Sequence, residues 1–584
     1  MTTAPPFYLY LKATRTARTG VGTAQTRRLT SVRRPEGNHP NLFQSVLGYL
    51  GVLFRLERRL LALVVSYSLA IGLFSLIVPL TVQELVNTFA FAIQPITIVT
   101  LAGVMVAALL FVGAFRTLQY YAVEVLERRF FARVAIGMAK QLPHMQFLGF
   151  KPRYANYFIE TVFMQRALSV LLVDLINVIV GGAVGMTILV FYHPYFLLYN
   201  ALLLVGFSIV FSLSHGGLKA TIDMSQTKYD TLHWMQEISY NLLHFKATDS
   251  QALLIQKTDE LVDNYIGTRR TRFEILVRQY LGSVGWQAFA HSGLIATAGW
   301  LLSIGQLTLG QLVAAEVVVS GLLASFEEVV KRMGHIFYFL TGLTELDFLF
   351  SLPKDQESDR LSVPLPDPTI HGIRVTCKDL TVQHPGMPPI FRNFNLEVTP
   401  GEKIGIYAST TAAKTSLTRV LAGLEEPTSG VIRYSGVDLR HLDLNAINRC
   451  RGFMIDSQLS LFEGTIEDNI VLGRSYIPYS DIRWALRVTE FEEDVDALPQ
   501  GLKTHIRAQG TILAPTHILR ILLARVILAR PQILIFDGLM HTMQPAIRET
   551  MLRRICSKDE PWSVIFVSSD PNLTPHVDRR LILE

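Results

Sequence analysis

Charged residues are scarce in this chain of 584 residues. They make up 17% of the sequence, whereas hydrophobic residues make up 50%. A soluble protein of this length carries a larger charged share, and several apolar runs approach the ~20 residues needed to cross a bilayer. The sequence therefore indicates a membrane protein. The net charge of +6 is interpreted as positive charge on cytoplasmic loops, not as a nucleic-acid-binding surface.

Cysteine is also nearly absent. The three cysteines are Cys377, Cys450 and Cys556, all in the C-terminal half of the chain. An odd number with no paired spacing excludes a disulfide framework and a cysteine-based zinc site. We predict that all three are ordinary reduced thiols.

The first 40 residues lack acidic side chains before Glu36 and lack the apolar core of a secretory signal. They contain seven basic residues: Lys12, Arg15, Arg18, Arg27, Arg28, Arg33 and Arg34. We predict a disordered basic arm at 1–40 that lies near anionic lipid. An organellar transit peptide has a similar composition and is the alternative.

Six apolar runs have the length of transmembrane helices: 60–82, 96–120, 169–192, 196–213, 281–304 and 309–330. A shorter amphipathic stretch at 42–54 is typical of an interfacial helix. Three connections contain no Lys or Arg, namely 83–95, 193–195 and 305–308. The remaining connections are basic, so the positive-inside rule places both termini in the cytoplasm.

The two long basic connections, 122–142 and 218–277, have few Gly or Pro and a repeating apolar and charged pattern. This pattern predicts helices that continue beyond the membrane. Four ionisable residues lie inside the apolar runs: Arg116, Asp174, His291 and Glu316. We expect them to face a water-filled cavity or to pair between helices, and a direct role in substrate or proton movement is the alternative.

From about residue 355 the composition becomes that of a soluble domain, and short strands alternate with helices. Residues 401–439 read GEKIGIYASTTAAKTSLTRVLAGLEEPTSGVIRYSGVDL, which gives a strand, a phosphate loop and a helix in that order. Further segments follow: LFEGTIEDNI at 461–470, ALPQGLKTHI at 497–506, ILRILLARVILARPQILIFD at 518–537 and VIFVSSDP at 564–571. In order and spacing these segments resemble the nucleotide-binding domain of ABC ATPases. With six spans before them, the chain resembles a half-transporter of the ABC exporter family, of the bacterial peptide and type I secretion kind.

This resemblance implies a multi-domain membrane protein. An all-α transmembrane domain of six helices would occupy 41–345, and an α/β P-loop NTPase domain of the ABC ATPase type would occupy 346–584.

The resemblance also identifies the phosphate loop, which comprises Ala408, Ser409, Thr410, Thr411, Ala412, Ala413, Lys414, Thr415 and Ser416. Such a loop uses glycines so that backbone N–H groups curl around phosphate oxygens. Here Ala408, Thr411 and Ala413 stand in place of the family's glycines, while Lys414 and Thr415 are retained. We therefore predict weak binding of ATP and magnesium.

Other positions of the nucleotide site follow from the same resemblance. Thr415 and Asp537 match the magnesium ligands, and His384 matches the aromatic residue that stacks on adenine. Gly538 takes the place of the glutamate that handles the attacking water. Ser569 takes the place of the switch histidine, and Ser457 that of the Q-loop glutamine. We expect little or no ATP hydrolysis by this chain alone, since loss of a general base removes ~10²–10⁴ in rate.

The signature segment of the family is replaced by Leu513, Ala514, Pro515, Thr516 and His517. In the family this segment presents its serine and backbone N–H groups to the nucleotide held by the opposite subunit. Pro515 has no N–H to donate, and Ala514 has no hydroxyl. Both composite sites of a dimer would therefore contain one altered half.

These observations predict a subunit of an exporter that moves an unidentified substrate out of the cytoplasm, with impaired or absent hydrolysis. We expect it in the bacterial inner membrane, paired with a second half-transporter. A different, catalytically complete partner is favoured over a second copy. The alternative is a non-hydrolysing structural or regulatory subunit, and a third hypothesis is ion-driven transport through Asp174 or Glu316.

Overall fold

The computed structural model describes residues 57–89, 95–145, 152–352, 372–384, 387–455, 459–507, 513–538, 540, 542–570 and 576–583. The chain forms two compact units, the first of Met1–Ile136 with Ala155–Leu349 and the second of Gly137–Tyr154 with Phe350–Glu584. The predicted basic arm at 1–40 and interfacial helix at 42–54 lie outside the described residues, as does Ser457.

The first unit is built from long helices. They are α1 (Arg58–Ser75), α2 (Ile77–Phe89), α3 (Pro95–Gln141), α4 (Glu160–Ser169), α5 (Ile176–Tyr192), α6 (Tyr195–Ser212), α7 (Gly217–Tyr240), α8 (Leu242–Ala247), α9 (Gln251–Ser303), α10 (Leu309–Lys331) and α11 (Met333–Ser351). A 3-10 helix at Pro152–Ile159 precedes α4, and a π-helical turn at Val170–Leu175 joins α4 to α5.

Five described helical segments are long and apolar enough to cross a membrane: Arg58–Thr88, Ile96–His144, Asn156–Tyr192, Tyr195–Tyr240 and Leu309–Lys331. They correspond to five of the six predicted spans. The other predicted span, 281–304, is helical as the last part of α9, but it is not among the five. Its Gln287, His291 and many small residues make it less apolar, so this span stays a prediction.

Helices α3 and α9 are much longer than a bilayer is thick. They contain 47 and 53 residues, which correspond to about 70 and 80 Å at 1.5 Å per residue. A hydrocarbon core measures only ~30 Å, so both helices continue beyond it, as the composition of 122–142 and 218–277 predicts. Beyond the apolar region α9 packs along α7, where Trp234 Nε1 donates to Thr258 Oγ1 at 2.9 Å.

The apolar core of the first unit joins α5, α6, α9 and α10 through residues such as Leu189, Leu203, Leu294 and Val319. One close approach requires a glycine. A Cβ added at Gly206 of α6 would lie 2.0 Å from the Trp286 ring of α9. Small residues commonly allow helices in membranes to approach in this way.

The second unit has two principal sheets and surrounding helices. Its strands are β1 (Val375–Val382), β2 (Phe391–Val398), β3 (Lys403–Ala408), β4 (Ser429–Tyr434), β5 (Val437–Asp438), β6 (Arg451–Ile455), β7 (Gly464–Thr465), β8 (His505–Ile506), β9 (Ile533–Asp537), β10 (Ser563–Ser568) and β11 (Arg579–Leu583). Its helices are α12 (Thr411–Leu421), α13 (Leu444–Cys450), α14 (Ile466–Val471), α15 (Tyr479–Val488), α16 (Glu492–Asp496), α17 (Pro515–Ile527) and α18 (Pro545–Ile555).

Strand order explains where the site lies. An antiparallel sheet runs β2-β1-β4-β5, and a parallel sheet runs β11-β3-β10-β9-β6. Every residue of β9 and β10 is buried, as expected for apolar runs that form central parallel strands. In such a sheet the carboxyl ends of adjacent strands meet at one edge, where ligands bind.

The three cysteines are buried and free of disulfides. Burial raises the pKa of Cys377 and Cys556 to about 12 and that of Cys450 to about 11. All three thiols are therefore protonated near neutral pH, and the absence of disulfides among them agrees with the predicted reduced thiols.

Candidate nucleotide site

The carboxyl ends of β3, β9 and β10 bring the predicted site residues together. Asp537 ends β9 opposite Val567 of β10, and Ser568 of β10 lies opposite Tyr407 of β3. Ala408, Asp537 and Ser569 therefore lie at one edge of the parallel sheet, as the resemblance implies. Ser569, one residue beyond β10, is exposed.

The phosphate loop is short and helical. Helix α12 begins at Thr411, so only Ser409 and Thr410 separate it from β3. Thr410 is extended (φ −129°, ψ 152°) and caps the helix, because its Oγ1 accepts from the Ala413 N–H at 3.1 Å. None of the residues 408–416, all of which the structure describes, has a positive φ. An anion-binding nest alternates right-handed and left-handed residues, and that alternation is missing here.

Two of the residues that replace glycines pack into the core. Ala408 is fully buried and Ala413 is 3% exposed, and both contact the apolar cluster beneath β3 and α12. Their methyl groups occupy space that glycines would leave empty. Ser416 is also buried, so its side chain lies inside the fold.

Lys414 and Asp537 bind each other. Lys414 Nζ lies 2.8 Å from Asp537 Oδ1, and the two side chains are 12% and 0% exposed. Neither carboxylate oxygen accepts a hydrogen bond from the described residues, and Oδ2 also has no ion-pair partner among them. That oxygen and the Thr415 hydroxyl are oxygen ligands of the kind that magnesium binds. The same carboxylate, however, is already neutralised by an adjacent ammonium group, which would repel a second cation.

These residues do not fit a bound magnesium–polyphosphate in the described conformation. Lys414 points its charge at Asp537, the Ala413 N–H is taken by Thr410, and no left-handed residue shapes the loop. ATP bound with magnesium would supply a polyphosphate and a divalent cation. Lys414 could contact the polyphosphate, and Thr415 and Asp537 could contact the cation.

Gly538 occupies the position that the resemblance assigns to the general base. Its φ is +119°, and its N–H donates to the Val567 carbonyl at 2.9 Å. This backbone region favours glycine. No side chain at 538 can therefore handle a water molecule, and the Ser569 hydroxyl is not a substitute for an imidazole.

The segment Leu513–His517 forms the start of α17. Pro515 is the first helical residue, and Ala514 gives no side-chain cap. His517 turns back to its own subunit, where Nε2 lies 3.6 Å from Asp494 Oδ1 and the ring lies 5.5 Å from that of Phe491. Burial and the Arg520 guanidinium lower the pKa of His517. Its side chain thus serves the domain's own packing.

His384 follows β1 and is partly buried. It lies near Glu425. Burial raises the pKa of the Glu425 carboxyl, and the charge of His384 offsets part of that rise. The neighbouring residues 385–386 lie outside the described part, so the adenine-stacking role stays a prediction.

The ionisable residues of the membrane unit are mostly paired. Asp174 forms an ion pair with Arg332, and Arg332 also bonds Glu328 Oε1 at 2.6 Å. His291 Nδ1 lies 2.9 Å from Glu316 Oε1. These contacts support the expectation of pairing between helices.

Arg116 and Asp174 also line a cavity of about 960 Å³ in the membrane unit. Gln119 contributes to its wall and is fully buried, with Nε2 donating to Ser68 Oγ at 2.8 Å and to Asn177 Oδ1 at 3.1 Å. Sequence reasoning missed Gln119 and Asn177 because it considered only ionisable groups. Amides inside predicted spans were the available signal.

A second polar cluster was also missed. Glu160 is fully buried in α4 and pairs with Lys228, and its Oε1 accepts from the Tyr229 hydroxyl at 2.8 Å. Glu160 lies outside the predicted apolar runs, so nothing in the sequence pattern singled it out.

Comparison with known proteins supports the same fold and domain order. Residues 391–540 match the family model "ABC transporter". The leukotoxin translocation ATP-binding proteins LktB of Mannheimia haemolytica and Bibersteinia trehalosi are 24% identical over 339 residues, which cover 57% of this chain. The chain thus spans about half the length (47%) of these curated relatives.

A solved structure of a bacterial Atm1-family ABC exporter with ATP bound has the same fold. The TM-score is 0.78 at 18% identity, and the match covers 90% of this chain and 93% of the other. In fold and domain order the chain is therefore similar to an ABC exporter half-transporter, with a helical membrane unit followed by a region that matches the ABC transporter family model.

Proposed function

We propose that the chain is one subunit of an exporter that moves a substrate out of the cytoplasm, and that its own ATP hydrolysis is impaired or absent. The observation that carries the second part is Gly538, whose backbone occupies the general-base position at φ +119°. Ser569, Pro515 and the Lys414–Asp537 pair support it.

The setting follows from the membrane unit. We place the subunit in a bacterial inner membrane. We place both termini in the cytoplasm, because Lys and Arg are concentrated on the connections other than 83–95, 193–195 and 305–308. We assign a basic arm to 1–40, the transmembrane domain to 41–345 and the nucleotide-binding domain to 346–584. The named relatives translocate leukotoxin, but the substrate of this chain is left open.

A structural or regulatory subunit is the second candidate. The pairing of Lys414 with Asp537 favours it, because the two charges balance each other without a bound nucleotide. In this case the fold survives as a module for association, and energy for transport comes from another source. The ion pairs of Asp174 and Glu316 give ion-driven transport no separate support.

The ATPase rate of the purified full-length chain in lipid nanodiscs tests the proposal. We expect a rate equal to that of Lys414→Met, since both proteins lack a general base. A Lys414-dependent rate near the ordinary enzyme median of ~10 s⁻¹ would contradict impaired hydrolysis. Adding the co-purified partner separates the two candidates, because an exporter pair should hydrolyse ATP and move substrate into sealed vesicles.

A further inference from the structure

The phosphate loop is held in its present form by its own residues. The sequence offers Thr, Ala and Ala at 411–413, and each of the two alanines favours a helix by about 1 kcal/mol more than glycine does. Thr410 then acts as an N-cap, with Oγ1 accepting from the Ala413 N–H at 3.1 Å and its carbonyl accepting from the Lys414 N–H at 3.0 Å. Two N–H groups at the start of α12 are therefore used inside the loop.

The core supports the same conformation. Ala408 and Ala413 are 0% and 3% exposed and pack with residues such as Leu417 and Ile406. A loop that opened to surround phosphate would have to move these methyl groups out of their contacts.

The Lys414–Asp537 ion pair occupies the two charged groups that nucleotide and magnesium would otherwise contact. Lys414 and Asp537 would serve a polyphosphate and a magnesium ion respectively, yet they lie 2.8 Å apart with 12% and 0% of their side chains exposed. A buried charge left without its partner is strongly unfavourable. Each group therefore supplies the counter-charge that nucleotide and metal would otherwise provide.

We propose that this phosphate loop is closed on itself, so that the stable state of the domain is nucleotide-free and the Lys414–Asp537 pair is a structural ion pair. The proposal concerns binding and stability, not hydrolysis or transport. It can therefore fail while the proposed exporter function stands, and the reverse also holds.

Thermal unfolding of the purified full-length chain in detergent tests the structural role. Without nucleotide, we expect Lys414→Met and Asp537→Asn each to lower the Tm by several degrees. The double variant should lose clearly less than the sum of the two, since it leaves no buried charge unpaired. Lys503→Met is the matched control: Lys503 also lies 2.8 Å from a carboxylate oxygen, of Glu467, but is 73% exposed. We expect its Tm to stay within about 1 °C of wild type, because exposed pairs contribute little.

Nucleotide binding by the unaltered chain gives the second measurement and does not depend on any variant folding. With 1 mM Mg-ATP we expect a Tm rise below about 1 °C, because a ligand stabilises only in proportion to its binding of the folded state. Equilibrium binding of a fluorescent ATP analogue should show no saturation up to 1 mM. A Tm rise of several degrees, saturable micromolar binding, or an unchanged nucleotide-free Tm in both single variants would overturn the proposal.

Glycine substitutions in the phosphate loop test whether binding can be gained. Thr411→Gly with Ala413→Gly removes the helix preference and one buried methyl group. We expect this variant to show saturable binding of the analogue below about 1 mM, where the unaltered chain shows none. Unchanged affinity in a folded double variant would also count against a closed loop.

Discussion

At Gly538 the backbone conformation disfavours the glutamate that the resemblance places at this position. Its φ of +119° lies where side chains are disfavoured, and its N–H is fixed to the Val567 carbonyl at 2.9 Å. The residue therefore combines the absence of a side chain with a backbone conformation that favours glycine. A substitution there has to overcome the local geometry before any carboxylate can act.

We predict that Gly538→Glu lowers the stability of the domain and leaves ATP hydrolysis at background. A non-glycine residue in a left-handed conformation costs about 1–2 kcal/mol, and Ser569 and Pro515 remain unsuited to the reaction. Thermal unfolding and ATPase assays measure both effects. Gly538→Ala is the control, since it carries the same backbone cost without a carboxylate and should unfold at a similar temperature. A clear gain of turnover in Gly538→Glu alone would contradict this account.

At this scale, motif reasoning located the positions but not their contacts. It placed Lys414, Asp537, Gly538 and Ser569 at one site, and strand order brings these residues to one sheet edge. It did not foresee that Lys414 and Asp537 pair, because the distance between two groups 123 positions apart in sequence depends on the sheet. The Thr410 cap was foreseeable, since a threonine before Thr-Ala-Ala is a common helix start.

Among the elements, the π-helical turn Val170–Leu175 is distinctive because it carries Asp174. Such turns are rare and often occur at functional sites. Asp174 projects toward Arg332, at the end of α10, and the same guanidinium binds Glu328. This arrangement ties α4 and α5 to α10 beside the cavity of about 960 Å³.

We predict that the Asp174–Arg332 pair stabilises the packing of these helices. Asp174→Asn and Arg332→Gln should each lower stability by about 1 kcal/mol, because the side chains are 24% and 42% exposed and the pair is partly screened. The double variant should lose less than the sum. Thermal unfolding in detergent measures the cycle, with Arg270→Gln, in an exposed pair within α9, as the control. Strictly additive losses would show that the pair is not coupled.

Apolar runs in the sequence predicted the long helices of the membrane unit, and one of the six predicted spans, 281–304, stays a prediction. Five apolar runs became long apolar helices. Residues 281–304 are helical within α9, but Gln287 and His291 weaken the apolar signal. These two side chains contact Glu327 and Glu316 on a neighbouring helix. The polar residues that make such contacts lower the mean hydropathy of the segment. Pairing of this kind follows from the fold and not from local composition.

For the whole molecule, the altered signature segment governs what a partner can do. In the family's dimer each site joins one subunit's phosphate loop to the other subunit's signature segment. An intact partner would therefore meet Pro515, which has no N–H, and His517, whose ring lies beside its own subunit's Phe491 and 3.6 Å from Asp494. A phosphate contact of this kind contributes roughly 1.5–3 kcal/mol, so its loss slows hydrolysis without abolishing it.

We predict that the chain assembles with a different ABC half-transporter that retains its catalytic residues. One chain supplies only half of the membrane path implied by the family's architecture, and Gly538 denies it a hydrolysis site of its own. Affinity purification from native membranes, followed by mass spectrometry of the intact complex, should recover this chain and a second ABC subunit in equal amounts. In that complex, changing the partner's general-base glutamate to glutamine should abolish ATPase activity, whereas Lys414→Met in this chain should leave most of it. Recovery of this chain alone as a dimer would instead support the non-hydrolysing structural subunit, because neither half would then hold a general base.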